Sequence, residues 1–190
     1  HVANDYQLEG GLLVSGATGG ESLNPLASGK TFVELRPFYR SLTVESSTLK
    51  ATQKTNGLDV SLIWDNRDFV TNPSVGQSLT LRWSRDFGRL DSTNSWSVVA
   101  GELDQYFSLG ASDWFRQRVI ALDMWTAVSP SWDYRPDGTI ANRSPIFAGA
   151  NLGGIWTMRG YRFARFSDKA AIYYSAEYRM IPRWNPFMSW

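Results

Sequence analysis

The sequence predicts an all-β, antiparallel fold, and among β architectures a transmembrane barrel rather than a soluble sandwich. Three observations carry this. Hydrophobic residues recur at every second position, most strictly from Lys169 to Met180. There Ala170, Ile172, Tyr174, Ala176, Tyr178 and Met180 share one face, and Ala171, Tyr173, Ser175, Glu177 and Arg179 share the other, the side-chain period of a strand. Aromatic residues reach 14% of the chain, with nine Trp, eight Tyr and ten Phe, a density that suits strands and membrane interfaces. No stretch shows a sustained helical period, and none reaches the roughly 18 apolar residues of a membrane helix. A mean hydropathy of −0.30 is compatible with a barrel, because lumen-facing polar residues dilute every second position.

About eight strands are expected, several near the roughly 10 residues that cross an outer membrane. Residues 5–16 read as one strand weakened by Gly10-Gly11, and residues 17–30 as a loop rich in breakers. Thr31–Val44 alternates, with Val33, Leu35 and Tyr39 opposite Glu34, Arg36 and Arg40. Pro37 lacks an amide donor and is expected at a bulge or strand end. Residues 45–56 are polar and lead to Asn56-Gly57, a hairpin signal. Leu58–Trp64 sets Leu58, Val60, Leu62 and Trp64 against Asp59 and Ser61. After the loop Asp65–Gly76, Gln77–Arg85 sets Leu79, Leu81 and Trp83 against Ser78, Thr80, Arg82 and Ser84. Gly88–Asn94 is a turn. Ser95–Leu109 and Trp114–Ala127 are long strands, and 128–144 is a loop containing Pro136-Asp137-Gly138. Residues 145–152 form a short strand, and Lys169–Met180 the last one. Trp64, Trp83, Trp96, Trp114, Trp125 and Tyr178 fall near strand ends, as interfacial girdles do.

Composition excludes several function classes. The net charge is +1, with 19 Lys and Arg against 18 Asp and Glu, so there is no electrostatic footprint for nucleic acid. There is no cysteine, hence no disulfide framework and no thiolate metal site. The single histidine is His1, which leaves a Ser-His-Asp or Cys-His device without a base. No catalytic residue, metal ligand or cofactor is expected. Asp65, Asn66 and Asp68 have the wrong spacing for a calcium loop. Arg159, beside Gly160, can be carried on a tight turn. If that turn folds inward its guanidinium needs an acceptor, and Glu177 stands 18 positions on along the polar face of the next strand.

Gly153-Gly154, Met158-Arg159-Gly160-Tyr161 and Ser175-Ala176-Glu177-Tyr178-Arg179 together resemble the signature of the BamA/TamA superfamily of outer-membrane barrels, also called the bacterial surface antigen family. A second segment is similar to the family's hairpin motif: Trp64, Asp65, Arg67 and Asp68, then Pro73 and Gly76 before a new strand. The resemblance covers residues 58–181. Met158 stands where the family usually has Val or Ile, which keeps an apolar residue there.

The resemblance implies a barrel of about sixteen strands, of which residues 1–190 are a partial domain without a POTRA domain. Pro182 and Pro186 interrupt any final strand, so the end at Trp190 reads as truncation. It also implies that the Arg159 loop tucks into the lumen and that Arg159 pairs with Glu177, a structural lock completed by Gly160, Tyr161 and Arg179. The function implied is non-enzymatic insertion or translocation of proteins in a Gram-negative outer membrane. The implied partners are outer-membrane lipid and lipopolysaccharide, an unfolded outer-membrane or secreted client, and periplasmic or lipoprotein partners. A two-partner-secretion pore, a barrel anchoring an upstream enzyme module and a complete eight-stranded barrel are the alternatives.

Overall fold

The alternating stretches pair with their neighbours in the chain. The computed structural model describes residues 6–9, 12–15, 28–45, 50–155 and 157–184, and every regular element among them is a strand. β1 (Tyr6–Glu9) and β2 (Leu12–Ser15) form a two-stranded ribbon. Then come β3 (Lys30–Glu45), β4 (Lys50–Asp65), β5 (Gly76–Asp86), β6 (Trp96–Ser108) and β7 (Phe115–Val128). A long connection holds β8 (Asp133–Tyr134), β9 (Ile140–Ala141), β10 (Ala150–Leu152) and β11 (Phe166–Asp168), and leads to β12 (Ala170–Pro182). The main sheet is six-stranded and antiparallel, in the order β12-β7-β6-β5-β4-β3. It does not close: β12 and β3 are its two edges among the described residues.

The period of two gives the sheet two unlike faces. One is bare and apolar, with exposed Val33, Leu35, Leu62, Leu81, Trp83, Ile120, Leu122, Ile172 and Tyr174. The other is polar at many positions and is roofed by the connection after β7. Trp96, Val98, Ala100 and Ala127 are buried there with Ala150 from β10, and Phe38, Trp125, Ala148 and Ala171 pack around them. A second cluster, Tyr106, Val119 and Ala121, lies further along the same face. A lipid-facing exterior and a filled interior show this polarity. β3 and β4, at 16 residues each, exceed the roughly 9–11 residues that span the hydrocarbon.

Several expectations are corrected. Against the expected count of about eight strands, the described residues form six long strands plus short ribbons. The stretch read as one strand holds two, Tyr6–Glu9 and Leu12–Ser15, with Glu9 opposite Leu12. Asn56-Gly57 is not a turn but lies inside β4, Asn56 opposite Tyr39 and Gly57 opposite Phe38. The reason is crowding from both neighbouring strands: a Cβ on Gly57 would sit 1.9 Å from the Arg85 carbonyl oxygen and 2.9 Å from the Phe38 ring. Phe38 reaches across this gap to stack on Trp96, centroids 5.7 Å apart. Pro37 sits in regular register opposite Leu58, tolerated because β3 is an edge. Trp96 and Trp125 belong to the roofed face and not to a girdle. Trp64 keeps its bare-face position but is buried, its indole N–H donating to the Ser28 carbonyl at 2.9 Å. Trp83, Trp114 and Tyr178 are exposed. The loop expected at 17–30 falls largely outside the described residues.

Candidate functional site

The connection between β7 and β12 is built in three steps. Arg135 to Thr139 turns tightly between β8 and β9, with the Gly138 amide donating to the Arg135 carbonyl at 3.0 Å. Pro145–Gly149 then bends over the roofed face, the Ala148 and Gly149 amides donating to the Pro145 carbonyl. β10 pairs with β11, Asn151 opposite Ser167, and between them the chain folds back on itself. The Gly154 amide donates to the Tyr161 carbonyl at 3.1 Å, and the Tyr161 amide to the Met158 carbonyl at 3.2 Å. Gly160 has a φ of 98°, a backbone conformation that residues with a Cβ rarely adopt. Tyr161 tilts against Phe166, centroids 5.5 Å apart.

This fold-back carries Arg159 to β12. One terminal nitrogen of Arg159 donates to Glu177 Oε1 at 2.9 Å. Arg179 takes the other oxygen, its Nε and a terminal nitrogen lying 2.9 and 2.8 Å from Oε2. Glu177 is therefore shared by two guanidinium groups. The fork between Arg159 and Glu177 that an Arg–carboxylate pair allows is a single contact here. The Arg159 side chain is 79% exposed. A pair this open belongs with surface ion pairs, worth about 0–1 kcal/mol.

The hairpin motif shapes the turn between β4 and β5. Asp65 accepts from the Arg67 amide and Nε at 3.0 Å on one oxygen, and from an Arg67 terminal nitrogen at 2.6 Å on the other. Asp68 accepts from the Phe69 and Ser74 amides at 2.9 Å, from the Val75 amide at 3.3 Å and from the Ser74 hydroxyl. These carboxylates are occupied by protein donors. Pro73 is buried within the turn. Gly76, φ 101°, closes it where a Cβ would meet the Asn66 carbonyl oxygen at 2.6 Å.

Three further residues contribute to this region. Asn66 is buried, and its side-chain oxygen accepts from the Gln77 amide at 2.7 Å. Its type was the signal, since Asn favours such local side-chain-to-backbone bonds. Asp86, fully buried, accepts from the Thr55 hydroxyl at 2.6 Å, the Asn56 amide at 3.1 Å, the Ser92 hydroxyl at 2.9 Å and the Gly88 amide at 2.8 Å. Tyr106 has no sequence signal at all. Its ring lies 5.5 Å from the Arg179 guanidinium, and it is near enough to Arg67 for the two to interact electrostatically. Through Tyr106 the two motifs meet on one face: Asp65, Arg67, Tyr106, Arg179, Glu177, Arg159.

An open antiparallel sheet with a lipid-type exterior, roofed inside by a loop that returns to its own edge strand, defines a wall of an outer-membrane β-barrel. Residues 15–183 match the family model described as the Omp85 superfamily domain. The chain belongs to this superfamily, a family of outer-membrane β-barrels associated with protein insertion and transport. No curated protein and no solved structure shows a match.

Proposed function

We propose that this chain forms part of a barrel that inserts or translocates proteins across a Gram-negative outer membrane without a covalent site. One observation carries the reading: the Arg159 loop returns to Glu177 on β12, and β12 is an unpaired edge of the sheet among the described residues. An unpaired edge presents backbone donors and acceptors in register for an incoming strand. Backbone groups that pair there avoid the several kcal/mol that each unsatisfied group costs in lipid. The loop then holds the edge strand in position, and Arg159, Glu177 and Arg179 act as its latch. The partners on this reading are outer-membrane lipid and lipopolysaccharide on the bare face and an unfolded client at the edge. Periplasmic or lipoprotein partners would supply that client.

The experiment is reconstitution of the full-length protein in vesicles of outer-membrane lipid, with a urea-unfolded small outer-membrane barrel as client. Folding of the client is read as its heat-modifiable gel band. The expected result is faster folding than in empty vesicles, and slower folding with Glu177→Ala than with the native protein. Equal rates with and without the protein would end the insertion reading.

A further inference from the structure

A cavity of about 190 Å³ lies between the roofed face and the loop, away from the Glu177 cluster. Its charged lining is Arg36 and Arg40 from β3, Asp59 from β4 and Arg82 from β5. Three guanidinium groups against one carboxylate leave two positive charges in excess. Asp59 is already taken, accepting from Arg36 Nε at 3.1 Å and from a terminal nitrogen at 2.7 Å. The Arg40 guanidinium carbon stands 4.6 Å from the centre of the Phe147 ring, a cation–π contact that uses no acceptor for its N–H groups. Neither Arg40 nor Arg82 has a hydrogen-bond acceptor among the described residues. Glu102 is close enough to feel the charge of Arg82, but it does not line the cavity.

The walls suit a bound anion. The Phe38–Trp96 stack, interplanar angle 25°, forms an apolar side, and Phe147 with Ala148 forms the roof. Arg36, Arg40 and Arg82 are exposed to solvent, so the cavity is open at its charged side and an anion can reach it directly. Guanidinium forks match the two oxygens of a carboxylate or phosphate. The volume equals that of roughly six waters at about 30 Å³ each, room for an oxyanion with a small body.

We propose that this cavity is a binding site for an oxyanion, a carboxylate or phosphate group held between Arg82 and Arg40. The site is independent of whether the barrel inserts clients. It is tested by calorimetric titration of the full-length protein in detergent, with sodium benzoate and sodium phosphate as separate probes. The expected result is saturable binding of at least one probe, weakened by high salt. Arg82→Ala and Arg40→Ala should each weaken it about tenfold or more, the cost of losing a charge-assisted contact. Arg135→Ala, remote in the β8–β9 turn, should leave it unchanged. Binding of benzoate alone would assign a carboxylate with a flat body, and binding of phosphate would assign the phosphate source. If either alanine variant loses its heat-modifiable band, Arg82→Gln and Arg40→Gln give the reading instead. No saturation with either probe, or equal binding by the Arg82 and Arg135 variants, overturns the site.

Discussion

Gly57 holds its place because the Phe38 ring and the Arg85 carbonyl already occupy the space a side chain would need. Gly57→Ala forces the Cβ into backbone, not into the end of a flexible side chain. Overpacking of this kind costs about 1–3 kcal/mol. A urea unfolding midpoint lowered accordingly, with a weakened Phe38–Trp96 contact, is the expected outcome; an unchanged midpoint would show that β4 and β5 can part without cost. At Glu177 the geometry sets a smaller scale. Arg159 makes one exposed contact and Arg179 two. A double-mutant cycle on Arg159→Ala and Glu177→Ala should therefore return a coupling near or below about 1 kcal/mol in the folded fraction. Charge exchange at the two positions should restore part of it. Fully additive losses would mean that the loop is held by other contacts.

At the scale of elements, the turn from Phe87 to Ser95 is tied to the far end of β4 by two carboxylates. Asp86 gathers its four donors in the interior, while Asp91 accepts from Lys54 Nζ at 3.1 Å and from the Tyr39 hydroxyl at 3.2 Å. The hydrogen bond from Lys54, followed by its charge, holds the exposed Asp91 carboxyl below the usual carboxylate range. A depressed folded-state value contributes stability above the unfolded value of about 3.9, and that contribution is lost as pH falls through the depressed value. Amide exchange in residues 88–94, corrected for intrinsic rates, should thus quicken as the pH drops below about 4. Unchanged protection across that window would separate Asp91 from the turn's stability. The strands themselves were legible, because Leu58–Trp64, Gln77–Arg85 and Lys169–Met180 each declare their faces through a period of two. Asn56-Gly57 was misread because the local signal of a turn and the need to pass a ring look alike in sequence. Phe38, 19 positions earlier in the chain and opposite in register, and the Arg85 carbonyl on β5 distinguish them. Arg159 and Glu177 were legible as a motif, whereas Tyr106, which joins that motif to Arg67, depends on a register that no local pattern encodes.

At the scale of the molecule, the sheet presents two unpaired edges among the described residues, β3 and β12, and a bare apolar face. Long unpaired edges recruit other strands. Residues 1–190 refolded alone in detergent should associate, with a native protein mass at least twice the chain's 21.4 kDa; a stable monomer would mean that the edges are covered within the chain. The loop that roofs the inner face has an electrical consequence. On the barrel reading proposed above, a lumen filled by its own loop is a resistor, and the element that would set its resistance is clamped by an ion pair open to solvent. The Debye length shrinks from about 10 Å at 0.1 M salt to about 3 Å at 1 M, so added electrolyte loosens the clamp while it supplies carriers. Across a planar bilayer, current through the full-length protein should rise more steeply than the conductivity of the bath. With Arg159→Ala the two should rise in proportion.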